Sequence, residues 1–149
     1  MNGIRDAGNR LGQASIIAEI GVVRRWAGDY QGAAMELEAG LTMSDDMGDR
    51  GAVAEFLNEI GTLHLVSGNP EQAARRHQEA LDLALQMCTP WDQAHALAGL
   101  GRCALAAGNA ADAHGKLRQA HEIFQRIGAT EATGIAIELR AISAPHQHP

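Results

Sequence analysis

The side chains able to do chemistry are few and scattered. Seven histidines, two cysteines and four serines stand in a chain of 149 residues. His146-x-His148 could chelate, and His114 and His121 lie two turns apart on one helix. A zinc site on helices offers an i, i+4 pair plus a third close ligand, and neither set has it. None of Ser15, Ser44, Ser67 and Ser143 has a glycine elbow or a neighbouring histidine and acid to activate it. The glycines form no phosphate-cradling loop. No metal, cofactor or catalytic centre is expected, and the chain reads as a non-enzyme. What remains is non-covalent recognition: carboxylates at Glu19, Glu55 and Glu59, cations at Arg25 and Arg102, and the hydrogen-bonding groups of Asn58, Thr62 and His95.

The elements that position these groups recur at a fixed interval. Gly21 and Gly28, Gly61 and Gly68, Gly101 and Gly108 repeat every 40 residues, as do Ala33, Ala73 and Ala113, and Ile17, Leu57 and Leu97. A period in the range of roughly 20 to 50 residues signals a tandem array in which each unit buries its apolar face on the next. Within each period, Gly28-Asp29, Gly68-Asn69 and Gly108-Asn109 pair a residue tolerant of positive φ with a capping side chain, ending one helix and starting another. Pro70 fits a first helical turn. Thr89-Pro90-Trp91-Asp92 repeats that logic, with Thr89 as cap and Asp92 reaching back toward it. Between these marks, apolar and small residues at i, i+3, i+4 and i+7 form amphipathic stripes.

This punctuation predicts seven helices, over 10–27, 30–47, 50–67, 70–87, 90–107, 110–127 and 131–142, paired as antiparallel hairpins. The expected architecture is an all-α, right-handed solenoid over 10–142, with repeats at 10–48, 50–88 and 90–128 and a final helix at 131–142. Gly21, Gly61 and Gly101 are expected to face Ala33, Ala73 and Ala113 so that paired backbones approach closely. Residues 1–9 read as the remnant of a preceding helix or an N-terminal extension, since Arg5-Asp6-Ala7-Gly8 is in phase with Asp45-Asp46-Met47-Gly48; the chain reads as a cut-out of a longer array. Residues 143–149, with two prolines and no periodicity, read as a disordered tail.

The pattern Leu57-x-x-Ile60-Gly61-x-x-His64, Gly68-Asn69, Ala73, Ala80-Leu81 resembles a tetratricopeptide repeat (TPR). Residues 97–120 and 17–41 repeat it, so the resemblance covers nearly the whole chain. The usual repeat is about 34 residues, and the longer period here resembles the long-repeat branch of kinesin light chains and bacterial regulators. Met47-Gly48-Asp49-Arg50-Gly51-x-x-Ala54 resembles the linker in arrays of actinobacterial antibiotic-regulatory (SARP) and large ATP-binding LuxR-type transcription factors. The chain departs from the family pattern at Arg24, His64 and Ala104, which replace aromatics. Cys88 stands where Gly48 and Gly128 imply glycine, so a loosened superhelix is expected around residues 87–92.

The resemblance implies a concave face, made by the first helix of each pair, that holds an extended or helical peptide. Residues one, four, five and eight after Ala14, Ala54 and Ala94 turn away from the hairpin stripe. They are Ser15, Ala18, Glu19 and Val22; Glu55, Asn58, Glu59 and Thr62; and His95, Ala98, Gly99 and Arg102. Arg25, Trp26 and Val66 extend the strip. Glu19, Glu55 and Glu59 make its first end acidic and Arg102 its last end basic, so a protein or peptide ligand with basic residues toward Glu55 and Glu59 is expected. The set of lysine, arginine and asparagine that clamps a terminal carboxylate is missing, which disfavours chaperone tails. His64 and His77 are expected in inter-helix packing, and Met35, Met43, Met47 and Met87 as filling behind the second helices.

Net charge of −6 argues against a nucleic-acid partner. The sequence contains no apolar run long enough to span a bilayer and no secretory signal, and Cys88 and Cys103 suit a reducing compartment, so a cytoplasmic, non-membrane protein is expected. Ile135, Ile137, Leu139 and Ile142 are too apolar for a solvated cap, making the solenoid ends candidates for self-association. The functional expectation is an interaction module of a bacterial transcriptional regulator. The alternative is a sensor binding a small molecule or signalling peptide in the groove.

Overall fold

The computed structural model describes the backbone of residues 2–143 and the side chains of residues 12–143. Seven helices follow one another: α1 (Asn2–Trp26), α2 (Tyr30–Asp46), α3 (Arg50–Val66), α4 (Pro70–Met87), α5 (Pro90–Ala106), α6 (Ala110–Arg126) and α7 (Glu131–Ser143). There is no strand among the described residues. Pairs α1–α2, α3–α4 and α5–α6 pack as hairpins, successive hairpins stack, and α7 packs on α6. The fold is an all-α solenoid.

Helix ends follow the expected punctuation with two corrections. Asp29, Asp49 and Asn109 accept a hydrogen bond from the backbone N–H three residues on, satisfying one orphan donor of each new helix. Asn69 and Thr89 make no such bond, and Thr89 instead donates its hydroxyl to the Ala84 carbonyl. Both precede a proline, whose missing N–H leaves one fewer donor to satisfy. Helix α1 also begins earlier than expected, because residues 2–9 continue it without a break. The expected tail lies outside the described residues from 144 onward, along with His146 and His148, and Ser143 is the last residue of α7.

Close approach within each hairpin is organised around the glycines: at Gly101 the backbone carbonyl of Ala113 lies 3.2 Å from where a Cβ would be, as expected, and in all three the nearest atoms belong to the side chain one turn further on. A Cβ on Gly21 would lie 2.6 Å from Leu37, one on Gly61 2.6 Å from His77 and one on Gly101 2.8 Å from Leu117. The glycine therefore admits the side chain one turn beyond Ala33, Ala73 or Ala113, and those alanines are themselves wholly buried. Between hairpins, Phe56 fills the space that Gly40 leaves open. The corresponding positions of α1 meet no preceding hairpin, so Ile16 and Val23 are exposed where Phe56 and Leu63 are buried. Met43 packs on the core as expected, whereas Met35 is 72% exposed and fills nothing.

Cys88 does not loosen the array. It adopts the left-handed conformation itself, with φ 56°, and Thr89 N–H still reaches the Ala84 carbonyl at 3.0 Å. That is the bond Asn69 makes to His64 after Gly68. The same turn closes, with strain held at a β-carbon. Cys88→Gly should therefore raise stability by about 1 kcal/mol, the strain relieved less the added freedom of the unfolded chain. A denaturation midpoint equal to or below wild type would show that the strain is not there.

Candidate functional site

The first helices of the hairpins, α1, α3 and α5, line the concave side, and between α1 and α3 lies a cavity of about 630 Å³. Ala14, Ala18, Val22 and Phe56 give it an apolar floor, and Glu19, Asp49, Glu55 and Glu59 supply four carboxylates. Of the expected groove residues, Ser15, Ala18, Glu19, Val22, Glu55 and Glu59 come together here. Val23, Asp49, Ala52 and Phe56 also line it, and the strip spacing missed them because they lie on the flanks of the helices. Trp26 shares a helix face with Ser15, Glu19 and Val22, at i, i+4, i+7 and i+11. It is 78% exposed, and its ring lies beneath the Arg25 guanidinium at 5.4 Å.

The carboxylates differ in environment. Glu55 is an exposed residue, and the partial burial of its carboxyl, with Asp92 and Asp49 adding to the shift, pushes it above the usual carboxylate range. Burial also raises Glu59, opposed by Arg25 and reinforced by Glu55. Arg25 Nη2 stands 3.7 Å from Glu59 Oε2, too far for a hydrogen bond, and neither Arg25 Nε nor Glu59 Oε2 has a hydrogen-bond partner among the described residues. Asp49 is committed to capping α3. Among the described residues the α1–α3 groove thus carries more anionic than cationic groups, with Arg25 in ion-pair contact with Glu59 but outside hydrogen-bond reach.

The rest of the strip is differently employed. Thr62 donates its hydroxyl to the Asn58 carbonyl of its own helix. Val66 is exposed. Arg102 makes two hydrogen bonds, at 2.8 and 3.1 Å, to the Glu138 carboxylate, and His95 Nε2 lies 3.5 Å from Glu131. Arg102, expected to make the far end basic, is thus paired with Glu138 of α7, and that end of the groove is not left with a free cation there. The equal seven-residue spacing of Glu131–Glu138 and His95–Arg102 was the available signal. His95 also packs its ring against Trp91 and Phe124. Burial lowers its pKa, with Glu131 opposing.

Asn58 does not face the groove. It is 9% exposed, and its Oδ1 lies 2.9 Å from His77 Nδ1. His77 takes the place held by Leu37 and Leu117 in the other hairpins, as Asn58 takes that of Ala18 and Ala98. The imidazole also presses on Gly99 of α5, where a Cβ would collide with the ring; the preceding repeats carry Glu19 and Glu59 at that position. Burial lowers its pKa to about 4, helped by Arg102 and His95. The ring is therefore neutral at pH 7, donating from Nδ1 to Asn58 and leaving buried Nε2 without a partner among the described residues. His64, also expected in packing, is half-buried. Among the described residues no group of three His, Cys, Asp or Glu could hold a metal ion, and no helix is long and apolar enough to cross a membrane.

Helical hairpins stacked in register, with their first helices lining a concave side, define a TPR-like helical-repeat fold. No family model matches the chain, and no curated protein sequence does. Among solved structures, it is similar to the apo form of RapI, with a TM-score of 0.80 at 14% identity over 93% of this chain and 39% of that one. A Rap protein complexed with competence and sporulation factor gives 0.85 at 17% identity, over 91% and 38%. BtubC from P. vanneervenii gives 0.77 at 16% identity, over 96% and 65%. The chain thus spans well under half the length of either Rap protein, and these likenesses establish a shared fold.

The buried imidazole makes stability depend on pH in a defined direction. Because His77 has a folded pKa below its unfolded value of 6.5, its contribution is complete above pH 6.5 and is lost as pH falls toward 4. The loss at pH 5 should be roughly 2 kcal/mol. The double variant Asn58→Ala, His77→Leu copies the first and third hairpins and should lose that much less between pH 7 and 5 in urea denaturation. Equal slopes for both chains would rule out His77 as the cause.

Proposed function

We propose that this chain is a non-enzymatic scaffold that binds a protein or peptide ligand in the α1–α3 groove. The ligand presents a lysine or arginine to Glu55 and Glu59. The observation that carries this reading is the cavity itself: an apolar floor under a rim of carboxylates, two of them raised in pKa because no cation fully offsets their burial. A cationic side chain entering there gains charge-assisted bonds in a partly desolvated setting. Glu19 and Trp26 continue the same strip, and Trp26 offers an uncovered aromatic face for a ligand side chain or cation.

The linker around Met47-Gly48-Asp49-Arg50 supports a regulatory setting, as an interaction module of a bacterial transcriptional regulator acting in the cytoplasm. A second reading, a sensor for a small molecule or signalling peptide, is favoured by the cavity volume, which lies within the usual range for ligand pockets. The similar Rap protein was solved with competence and sporulation factor bound. Exposed apolar residues on α1 and α7 leave the ends of the array as surfaces for self-association.

Selection from a displayed random-peptide library against the full chain should enrich lysine and arginine. Glu55→Gln with Glu59→Gln should weaken the selected peptides about tenfold or more, equal to at least 1.4 kcal/mol. With Trp91→Phe, Trp26 becomes the sole tryptophan, and its emission should shift on binding. A selected pool without basic residues, or affinities indifferent to both substitutions, would rule out the acidic groove as the working surface.

A further inference from the structure

Helix α7 sits in the array in an orientation that the repeat does not dictate. At the 40-residue period its Ile135 and Ile142 correspond to His95 and Arg102, the groove positions of α5. Both isoleucines are buried. Gly134, Ile137 and Ala141 correspond to Ala94, Leu97 and Gly101, positions that α6 covers in the third hairpin; no helix follows α7 among the described residues, and all three are exposed. The final helix has therefore turned its groove-equivalent face inward. That face carries Glu131, Ile135, Glu138 and Ile142 at i, i+4, i+7 and i+11.

Packed on α6, the inward face also meets α5 at two rungs. Glu131 meets His95 and Glu138 meets Arg102, both at an offset of 36 residues, so the two helices run parallel with polar contacts two turns, about 10.5 Å, apart. Between the rungs Ile135 enters the core beside Phe124 and Ala120. Both carboxylates, the His95 imidazole and the Arg102 guanidinium remain partly exposed, so water reaches the contacts. Helix α7 is also the shortest of the seven, at 13 residues, and has no following helix of its own among the described residues.

We infer that the α5 strip of His95 and Arg102 is a docking site for an amphipathic helix bearing two carboxylates seven residues apart, and that α7 is its occupant in cis. A partner helix with the same Glu-x3-Ile-x2-Glu-x3-Ile face competes for the strip by displacing α7. Its chemistry is opposite to that of the basic ligand of the α1–α3 cavity, so the two sites take different partners. The α1–α3 cavity plays no part in this inference.

The test uses a fluorescein-labelled peptide of residues 129–143, titrated into the full chain and followed by anisotropy. Weakening the cis contacts with Glu131→Gln and Glu138→Gln should tighten peptide binding about tenfold or more over wild type. Arg102→Glu should abolish binding, and a peptide carrying Glu138→Arg should restore it. In the unaltered chain, excess peptide should speed amide exchange in α7 about threefold or more while leaving α2 to α4 unchanged. Light scattering that shows the weakened chain exchanging α7 between two copies would also support the site, since the strip then accepts a helix in trans. Equal affinity for the wild-type and weakened chains, indifference to Arg102→Glu, or unchanged exchange in α7 would overturn it.

Discussion

Everything in this solenoid hangs on how closely the two helices of a hairpin approach at one glycine. Gly21, Gly61 and Gly101 have no Cβ because Leu37, His77 and Leu117 occupy that space. The contact sets the distance between paired helices, and the stacking of hairpins then fixes which side chains of α1, α3 and α5 reach the concave surface. Packing this tight tolerates little change of volume. The cavity between α1 and α3 forms within that frame, floored by small residues at Ala14 and Ala18 and closed behind by Phe56.

Electrostatics then divides the concave surface into two unlike regions. Between α1 and α3 the carboxylates outnumber the cations, and burial raises the cost of keeping Glu55 and Glu59 charged. Over α5 the cations of Arg102 and, when protonated, His95 are met by the acids of α7. A surface that reads along the chain as acidic at one end and basic at the other is, once folded, acidic at one end and paired at the other. The salt bridge of Arg76 with Glu38, at 3.3 Å on the second helices, joins hairpins on the opposite side without touching the groove.

The fold was legible because one period carried glycine, alanine and aliphatic residues together, so seven helices and their order followed from repetition and capping alone. The groove residues on α1 and α3 were legible for the same reason, since helical spacing puts Ser15, Glu19, Glu55 and Glu59 on one face. What spacing does not reveal is which way a polar residue turns when its neighbours change. Asn58 lies on the expected strip, yet its partner His77 is 19 residues away and pulls it into the core. The packing of α7 was hidden because its apolar residues look like a fourth repeat, while Ile135 and Ile142, which it buries, sit one residue, about 100° round the helix, from the positions that the repeat buries. Gly8-Asn9 shares the dipeptide that separates α3 from α4, and the backbone passes through it as continuous helix; a local end signal does not by itself end a helix.

The set of Asn58, His77 and Gly99 bears on how such an array can change over evolution. Each member departs from what the other repeats carry, and the set spans α3, α4 and α5, crossing the boundary between two hairpins. Tandem arrays are usually pictured as gaining and losing units by duplication and deletion of one period. Here the second unit cannot be copied or moved by itself, because its imidazole would meet a glutamate in place of Gly99 at the new junction. The heritable module at this point is longer than the repeat that the sequence displays, and recombination that respects the 40-residue period would still break it.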